Sequence, residues 1–134
     1  MTQDKRPSDA TALKGKTGLR RLMNAFLYSV KGLKAAFRHE AAFREETLLL
    51  VPVVLIATFL PVSPVEKLLL VTSYLGVMIT ELLNSAVEAV VDRIGTEIHE
   101  LSGRAKDIAS AAVLMSMVLA GLTWAVIIGG WLFA

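Results

Sequence analysis

The sequence predicts an all-α membrane protein in which an amphipathic surface helix precedes three membrane-spanning helices. The first observation is composition, since 54% of the 134 residues are apolar and 19% are charged, against about 45–50% and about 25% in soluble domains. The second is that charged residues are sparse in three long stretches after residue 46. The third is a helical hydrophobic period near the N-terminus. This composition argues against a disordered chain, an ordinary cytosolic enzyme and a nucleic-acid partner, and the absence of cysteine excludes disulfides and zinc–thiolate sites.

The first segment, residues 1–17, is polar, and we expect a mobile tail outside a single membrane domain of residues 18–134. Residues 15–17 resemble the end of a phosphate-binding P-loop. Ala10 stands where that motif has its first glycine, and no strand precedes it, so we reject the motif.

Residues 18–38 are predicted to form the surface helix, because apolar residues recur at steps of three and four. A basic amphipathic helix just before a span is expected to lie in the cytoplasmic interface of the membrane. A helix packed on a soluble core is the alternative, although little else in the chain could form that core. The apolar face comprises Leu19, Leu22, Met23, Phe26, Leu27, Val30, Leu33 and Phe37, and the opposite face carries Arg20, Arg21, Lys31, Lys34 and Arg38.

Spanning helices are predicted over residues 46–62, 66–91 and 107–132, because about 20 residues rising 1.5 Å each cross roughly 30 Å of hydrocarbon. The second span qualifies only if it carries carboxylates in the membrane or at its edge. Pro61 and Pro64 predict a hairpin connection over residues 61–67. Pro52 is expected near the start of the first span, where a missing N–H is tolerated.

The positions of lysine and arginine predict the orientation. Ten of the 14 precede the first span, one lies in the first connection, three lie in the second, and none follows Lys106. This distribution favours an N-terminus and second connection in the cytoplasm and a C-terminus on the far side of the membrane. In the third span, Ala112, Ser116 and Ala120 form a small-residue series that allows close helix packing.

Glu81, Asn84, Glu88 and Asp92 fall on one face of the second span. Carboxylates near hydrocarbon cost several kcal/mol unless they are paired, metal-bound or hydrated, so this stripe indicates a function. Its alternative role is to join helices through buried hydrogen bonds.

A second acidic cluster, Glu40, Glu45 and Glu46, precedes the first span at the same cytoplasmic edge. Carboxylates from two helices with basic residues nearby suit Mg²⁺ and phosphates, although a solvated charged turn would look similar. The polar loop of residues 92–107 could bind a nucleotide or form a hydrated turn, and spacing alone leaves both open.

Four segments resemble the small prokaryotic diacylglycerol kinase family, and the resemblance covers about residues 18–132. They are ELLNSAVEAVVDRIG at residues 81–95, EIHELSGRAKD at 97–107, EAAFREE at 40–46 and YSVKGLK at 28–34. The resemblance implies a homotrimer of three-span subunits that transfers the γ-phosphate of MgATP to diacylglycerol, giving phosphatidic acid. Undecaprenol kinases share this framework, but residues 102–107 resemble the diacylglycerol enzymes more closely. A non-enzymatic membrane helix module is the remaining alternative.

The resemblance also implies roles for individual residues. Glu81 would be the general base, Asn84 would position the reacting groups, and Glu40 and Glu88 would hold Mg²⁺. The implied ATP contacts are Arg21, Tyr28, Glu40, Glu88, Glu97, Ile98, His99, Lys106 and Asp107. The implied lipid contacts are Arg21, Lys34, residues Ala42, Phe43, Arg44, Glu45 and Glu46 of a turn, Glu81 and Ser110.

Overall fold

The computed structural model describes residues 18–95 and 97–134, and the regular structure within these ranges is helical. The all-α prediction is therefore confirmed for that part of the chain. The predicted tail, together with the rejected P-loop motif, lies outside the described residues. The helices are α1 (Leu19–His39), α2 (Ala41–Phe59), α3 (Pro64–Ile94) and α4 (Glu100–Leu132).

The chain divides into two units between Ala35 and Ala36, and the second unit is residues 36–134. The described part of the first unit is most of α1, whose bounds fall within one residue of the predicted surface helix. Its large apolar side chains are exposed, with Leu22 68% and Phe26 63% accessible. An apolar face exposed in this way is the property that a membrane-surface helix requires.

Helix α2 begins earlier than the predicted first span, so residues 42–46 form its first turns and the predicted turn there is wrong. Arg44 stabilises this corner, because its Nη1 donates to the carbonyls of Phe37 and Arg38 at 3.2 and 3.3 Å. These carbonyls belong to the last turn of α1, where helical partners are lacking. Pro52 lies inside α2 rather than near its start, which corrects the prediction. Without an N–H, this proline removes one bond of the helical ladder.

Helix α3 begins inside the segment predicted as a hairpin connection, which is therefore shorter than expected. Ser63 and Glu66 form a capping box: the Ser63 hydroxyl accepts from the Glu66 N–H at 3.3 Å, and the Glu66 carboxylate accepts from the Ser63 N–H at 2.7 Å. Pro64 occupies the first helical position, which its fixed φ favours. Lys67 then ties α3 to the end of α2 by donating to the carbonyl of Thr58 at 2.6 Å.

The predicted polar loop of residues 92–107 is also shorter in the structure. Helix α3 continues to Ile94, and α4 begins at Glu100, so the link between these helices is residues 95–99. His99 caps α4, since its Nδ1 accepts from the N–H of Leu101 at 3.1 Å. The charged residues after position 99 therefore lie on a helix in fixed directions.

Among the described residues, two helices, α3 and α4, are long and apolar enough to cross a membrane. Helix α2 is apolar after residue 46, but Arg44, Glu45 and Glu46 occupy its first two turns. The first predicted span, which α2 would form, therefore stays a prediction.

Helix α3 packs against both α2 and α4. One apolar cluster joins Phe43 of α2 to Met78 of α3, and a second joins Leu70 of α3 to Ala57 and Ile127. Because the side chain of Leu70 is completely buried, α3 is the element that holds its two neighbours in place. The polar stripe on α3 is therefore carried by the best-packed helix of this unit.

Candidate active site

The polar stripe predicted on α3 is present, because a continuous helix carries all four of its residues. Asn84 Nδ2 donates to Glu88 Oε1 at 3.2 Å, and both side chains are half-buried. Within the described part of the chain, the Asn84 Oδ1 atom is buried and has no hydrogen-bond partner. Buried polar atoms are usually paired, so this carbonyl is an acceptor left available beside Glu88.

Glu40, between α1 and α2, and Glu46, in the second turn of α2, interact electrostatically with the stripe on α3. The negative charges of Glu40 and Glu88 both act on Glu81, and Glu81 in turn acts on Glu46. Glu46 Oε2 is buried and lacks a hydrogen-bond partner among the described residues. Like charges gathered in this way repel one another, and a cation relieves that repulsion. The four residues Glu40, Glu46, Glu81 and Glu88 are called the carboxylate cluster below.

Glu40 has a particular position within the carboxylate cluster. It is the N-cap residue of α2, with extended backbone angles φ −107° and ψ 110°, but its side chain makes no capping hydrogen bond. The side chain of an N-cap residue usually accepts from the first turn of its helix. The carboxylate of Glu40 is therefore not committed to the start of α2.

The donor set of the cluster fits a magnesium ion that is shared with phosphates. No group of three or more acidic, histidine or cysteine side chains within the described ranges is arranged to hold a metal ion alone. Mg²⁺ commonly takes one or two protein carboxylates and completes its shell with phosphate and water oxygens. Glu40 and Glu88 are the two carboxylates predicted to hold this ion, and the carbonyl of Asn84 lies beside Glu88.

A cavity of about 270 Å³ lies where α3 ends and α4 begins. It brings together four residues that the resemblance assigns to ATP: Glu97, Ile98, His99 and Lys106. Asp107, the fifth predicted residue of this region, is exposed on α4 and does not line the cavity. The remaining lining residues are Val91, Asp92, Gly95, Ser102 and Gly103.

An ion pair joins the two helices at this cavity. Lys106 Nζ lies 2.6 Å from Asp92 Oδ1, and both side chains are accessible to solvent. The ammonium group of Lys106 therefore faces the last turn of the stripe. An exposed pair of this kind contributes little to stability, so an anionic ligand can take Lys106 from Asp92 at small cost.

Three further predicted residues, Arg21, Tyr28 and Lys34, lie on α1 in the first unit and are exposed. The ring of Tyr28 lies 5.9 Å from the Nζ atom of Lys31. The ATP and lipid roles of these three residues stay predictions.

The predicted lipid residues at the start of α2 face different surroundings. Phe43 is 4% exposed and packs against Ala36 and Met78, so its ring belongs to the core. Ala42 and Glu45 are exposed, whereas Arg44 binds the end of α1. Ser110 is exposed on α4. The lipid role of these residues stays a prediction.

Sequence reasoning missed two polar contacts between helices beside the cluster. The Tyr74 hydroxyl donates to the Glu46 carbonyl at 2.8 Å, and the hydroxyls of Thr80 and Ser116 lie 2.7 Å apart. Hydroxyl residues within long apolar stretches were the available signal. Their partners could not be read from the sequence, because each contact depends on how far neighbouring helices are displaced along one another.

Comparison with known proteins identifies the family. A family model described as prokaryotic diacylglycerol kinase matches residues 27–128. The chain is 53% identical over 112 residues to the diacylglycerol kinase of Escherichia coli strain K12, covering 84% of this chain and 92% of that protein. It is 51% identical over 117 residues to the diacylglycerol kinase of Haemophilus influenzae, covering 87% and 96%, and 49% identical over 117 residues to that of Pseudomonas aeruginosa, covering 87% and 95%. On this evidence the chain belongs to the prokaryotic diacylglycerol kinase family.

Proposed function

We propose that this chain is a membrane-bound diacylglycerol kinase, which uses MgATP to phosphorylate diacylglycerol and so forms phosphatidic acid. The observation that carries the proposal is that α3 carries Glu81 and Glu88 of the carboxylate cluster and, at its end, one side of the Lys106 cavity. Family membership and the names of the relatives support the same reaction.

In the proposed reaction, Glu81 accepts the proton of the diacylglycerol hydroxyl as that oxygen attacks the γ-phosphorus of ATP. A new oxygen–phosphorus bond forms, the bond from the γ-phosphorus to the bridging oxygen breaks, and ADP leaves. Phosphoryl transfer depends mainly on positioning and on neutralising charge. Asn84 orients the reacting groups through its free carbonyl, while Lys106 contacts the phosphates.

Glu40 and Glu88 are the proposed ligands of the magnesium ion that accompanies ATP. When bound, the ion supplies positive charge against the phosphate oxygens. Glu88 lies seven residues after Glu81, which is about 10 Å along the helix axis. The base at Glu81 can therefore meet the lipid hydroxyl while Glu88 meets the aqueous nucleotide.

We further propose that α2, α3 and α4 all cross the inner membrane, with the N-terminus in the cytoplasm and the C-terminus in the periplasm. The distribution of lysine and arginine supports this orientation. The polar cavity and the carboxylate cluster then lie at the cytoplasmic edge, where a lipid acceptor and a water-soluble nucleotide can meet. Helix α2 forms the first of these spans, with its charged first turns in the interface.

A homotrimer is the proposed assembly. Large apolar side chains on all three proposed spans are exposed in the single chain, among them Leu55, Leu83 and Leu122. Lipid and neighbouring copies would together cover these surfaces. The family resemblance supports three copies rather than another number.

Phosphate transfer by purified protein in mixed micelles tests the reaction. Labelled ATP and Mg²⁺ are supplied with diacylglycerol, with undecaprenol, or with no added acceptor. We expect label in phosphatidic acid and its loss in Glu81→Gln. Label found only in undecaprenyl phosphate would show that the acceptor is undecaprenol instead of diacylglycerol. If intact oligomers transfer no phosphate, the chain is better explained as a non-enzymatic membrane helix module.

A further inference from the structure

A pair of hydroxyl groups joins α3 to α4 one residue before Glu81. Thr80 Oγ1 lies 2.7 Å from Ser116 Oγ, and both side chains are half-buried. Each oxygen also lies near a carbonyl of its own helix, that of Val77 at 2.8 Å and that of Val113 at 2.7 Å. A separation of 2.7 Å between two hydroxyl oxygens requires a hydrogen between them, so one hydroxyl donates across the interface while the other donates to a carbonyl of its own helix. Both arrangements contain one hydrogen bond between the helices.

Other side-chain hydrogen bonds join α3 to α4 on either side of this pair. The Trp124 indole N–H donates to the Leu70 carbonyl at 3.1 Å, and Lys106 donates to Asp92 at 2.6 Å. From Leu70 to the hydroxyl pair is ten residues along α3, and from there to Asp92 is twelve. The matching steps back along α4 are eight and ten residues. All three links therefore agree on one antiparallel register, at intervals of about 12–18 Å.

A groove interrupts the packing of α3 on α4 between the hydroxyl pair and the aqueous end. A groove of about 420 Å³ opens between α3 and α4 there, lined by Thr80, Asn84 and small or apolar residues that include Ala109 and Ala112. Apolar side chains that face a groove are not interlocked with the other helix there, so they oppose sliding less than close-packed side chains do. The directional contacts at the two ends of the groove must therefore hold the register of this segment.

We propose that Thr80 and Ser116 are positioning residues, which hold Glu81 in register with α4 while the nucleotide is bound. The inference rests on the proposed function. In that function Lys106 turns to the phosphates and leaves Asp92, so the link at the aqueous end is lost during turnover. The hydroxyl pair then remains as the contact next to the base. A hydrogen bond between two half-buried hydroxyls suits this task, because it lies away from the aqueous end where Lys106 changes partner.

The test compares Thr80→Val, Ser116→Ala and their double variant, all measured as intact oligomers. We expect kcat for phosphate transfer to fall about five- to tenfold in each, the order expected for losing one hydrogen bond. KM for MgATP is expected to change less than about twofold, because the nucleotide residues lie at the other end of the groove. The double variant should be no worse than either single variant, and Thr80→Ser should retain the wild-type kcat.

Matched controls are Thr72→Val on α3 and Thr123→Val on α4, whose hydroxyls donate within their own helices to Leu68 and Leu119 at 2.8 Å. Both controls should keep kcat. If the Thr80 and Ser116 variants lose thermal stability but keep kcat, the positioning role is refuted, and the hydrogen bond between the two hydroxyls serves stability alone. A wild-type protein that transfers no phosphate would instead overturn the proposed function, which separates the two failures.

Discussion

Leu70 offers a quantitative test of the packing that holds α3 in place. Its side chain is 0% exposed and contacts Ala57 of α2 and Ile127 of α4, whereas Leu68, two residues earlier, is 63% exposed. Leu70→Ala therefore removes atoms from a three-helix contact, while Leu68→Ala removes the same atoms from an outer surface. The pair of variants matches residue type, helix and chemical change.

The expected loss depends on what surrounds the unfolded helices. Leucine-to-alanine changes in water-soluble cores cost about 2–5 kcal/mol, of which part is the transfer of the side chain from water. When separated helices remain in lipid or detergent, that transfer term disappears, because lipid tails are as apolar as leucine. The packing term remains, and about 24 cal/mol per Å³ over roughly 80 Å³ gives about 2 kcal/mol. We therefore expect Leu70→Ala to lose about 2 kcal/mol, and Leu68→Ala to lose less than about 0.5 kcal/mol.

The assay is reversible unfolding of the purified protein in mixed detergent micelles, followed by near-ultraviolet circular dichroism. Kinase turnover per folded molecule should be unchanged in both variants, since Leu70 lies eleven residues, or about 16 Å of helix, from Glu81. Equal losses for the two leucines would refute the packing described for α3. A loss near 5 kcal/mol would indicate unfolding into water rather than into an apolar phase.

The remaining predictions concern the site. Glu81→Gln should lower kcat by about a hundredfold or more, the usual effect of losing a general base, with KM for MgATP little changed; a kcat near wild type would exclude Glu81 as the base. Glu88→Gln should raise the Mg²⁺ concentration needed for half-maximal nucleotide binding, measured by equilibrium binding. The exposed Glu100→Gln is the control and should behave as wild type. The same magnesium dependence in wild type and both variants would exclude Glu88 as a metal ligand. Asp92→Asn should lower KM for ATP by up to about threefold, because it removes a competitor for Lys106 and a negative charge from the cavity. A higher KM would mean that Asp92 instead orients Lys106 for the nucleotide.

Local sequence rules predicted the helices well and their ends less well. The helical period of α1 could be recognised because its apolar residues lie on one face and its basic residues on the opposite face. The start of α3 was misplaced because the prolines were interpreted as breakers, although the order Ser63, Pro64, Glu66 is itself a helix-start signal. The start of α4 was placed too late, because the predicted helix was taken to begin only where the charged residues stop. The charged residues of 100–106 lie outside the predicted hydrocarbon region but still belong to the helix.

The site divides in the same way. Periodicity alone placed Glu81, Asn84 and Glu88 on one face, because a helix fixes those directions. Their relation to Glu40 and Glu46 rested on an expected common membrane edge, and the structure supplies the electrostatic contact. Contacts between helices could not be predicted, since they depend on how far one helix is shifted along its neighbour, which the sequence of either helix alone does not determine.

The uncapped start of α2 has a consequence for engineering this protein. Serine, aspartate or asparagine at an N-cap position stabilises a helix by about 1 kcal/mol relative to a residue that does not cap, yet Glu40 makes no such bond. A selection for thermal stability alone would therefore favour replacing Glu40. Under the proposed function the same replacement removes a ligand of the metal. Libraries screened only for heat resistance are thus expected to accumulate well-folded, inactive proteins at this position.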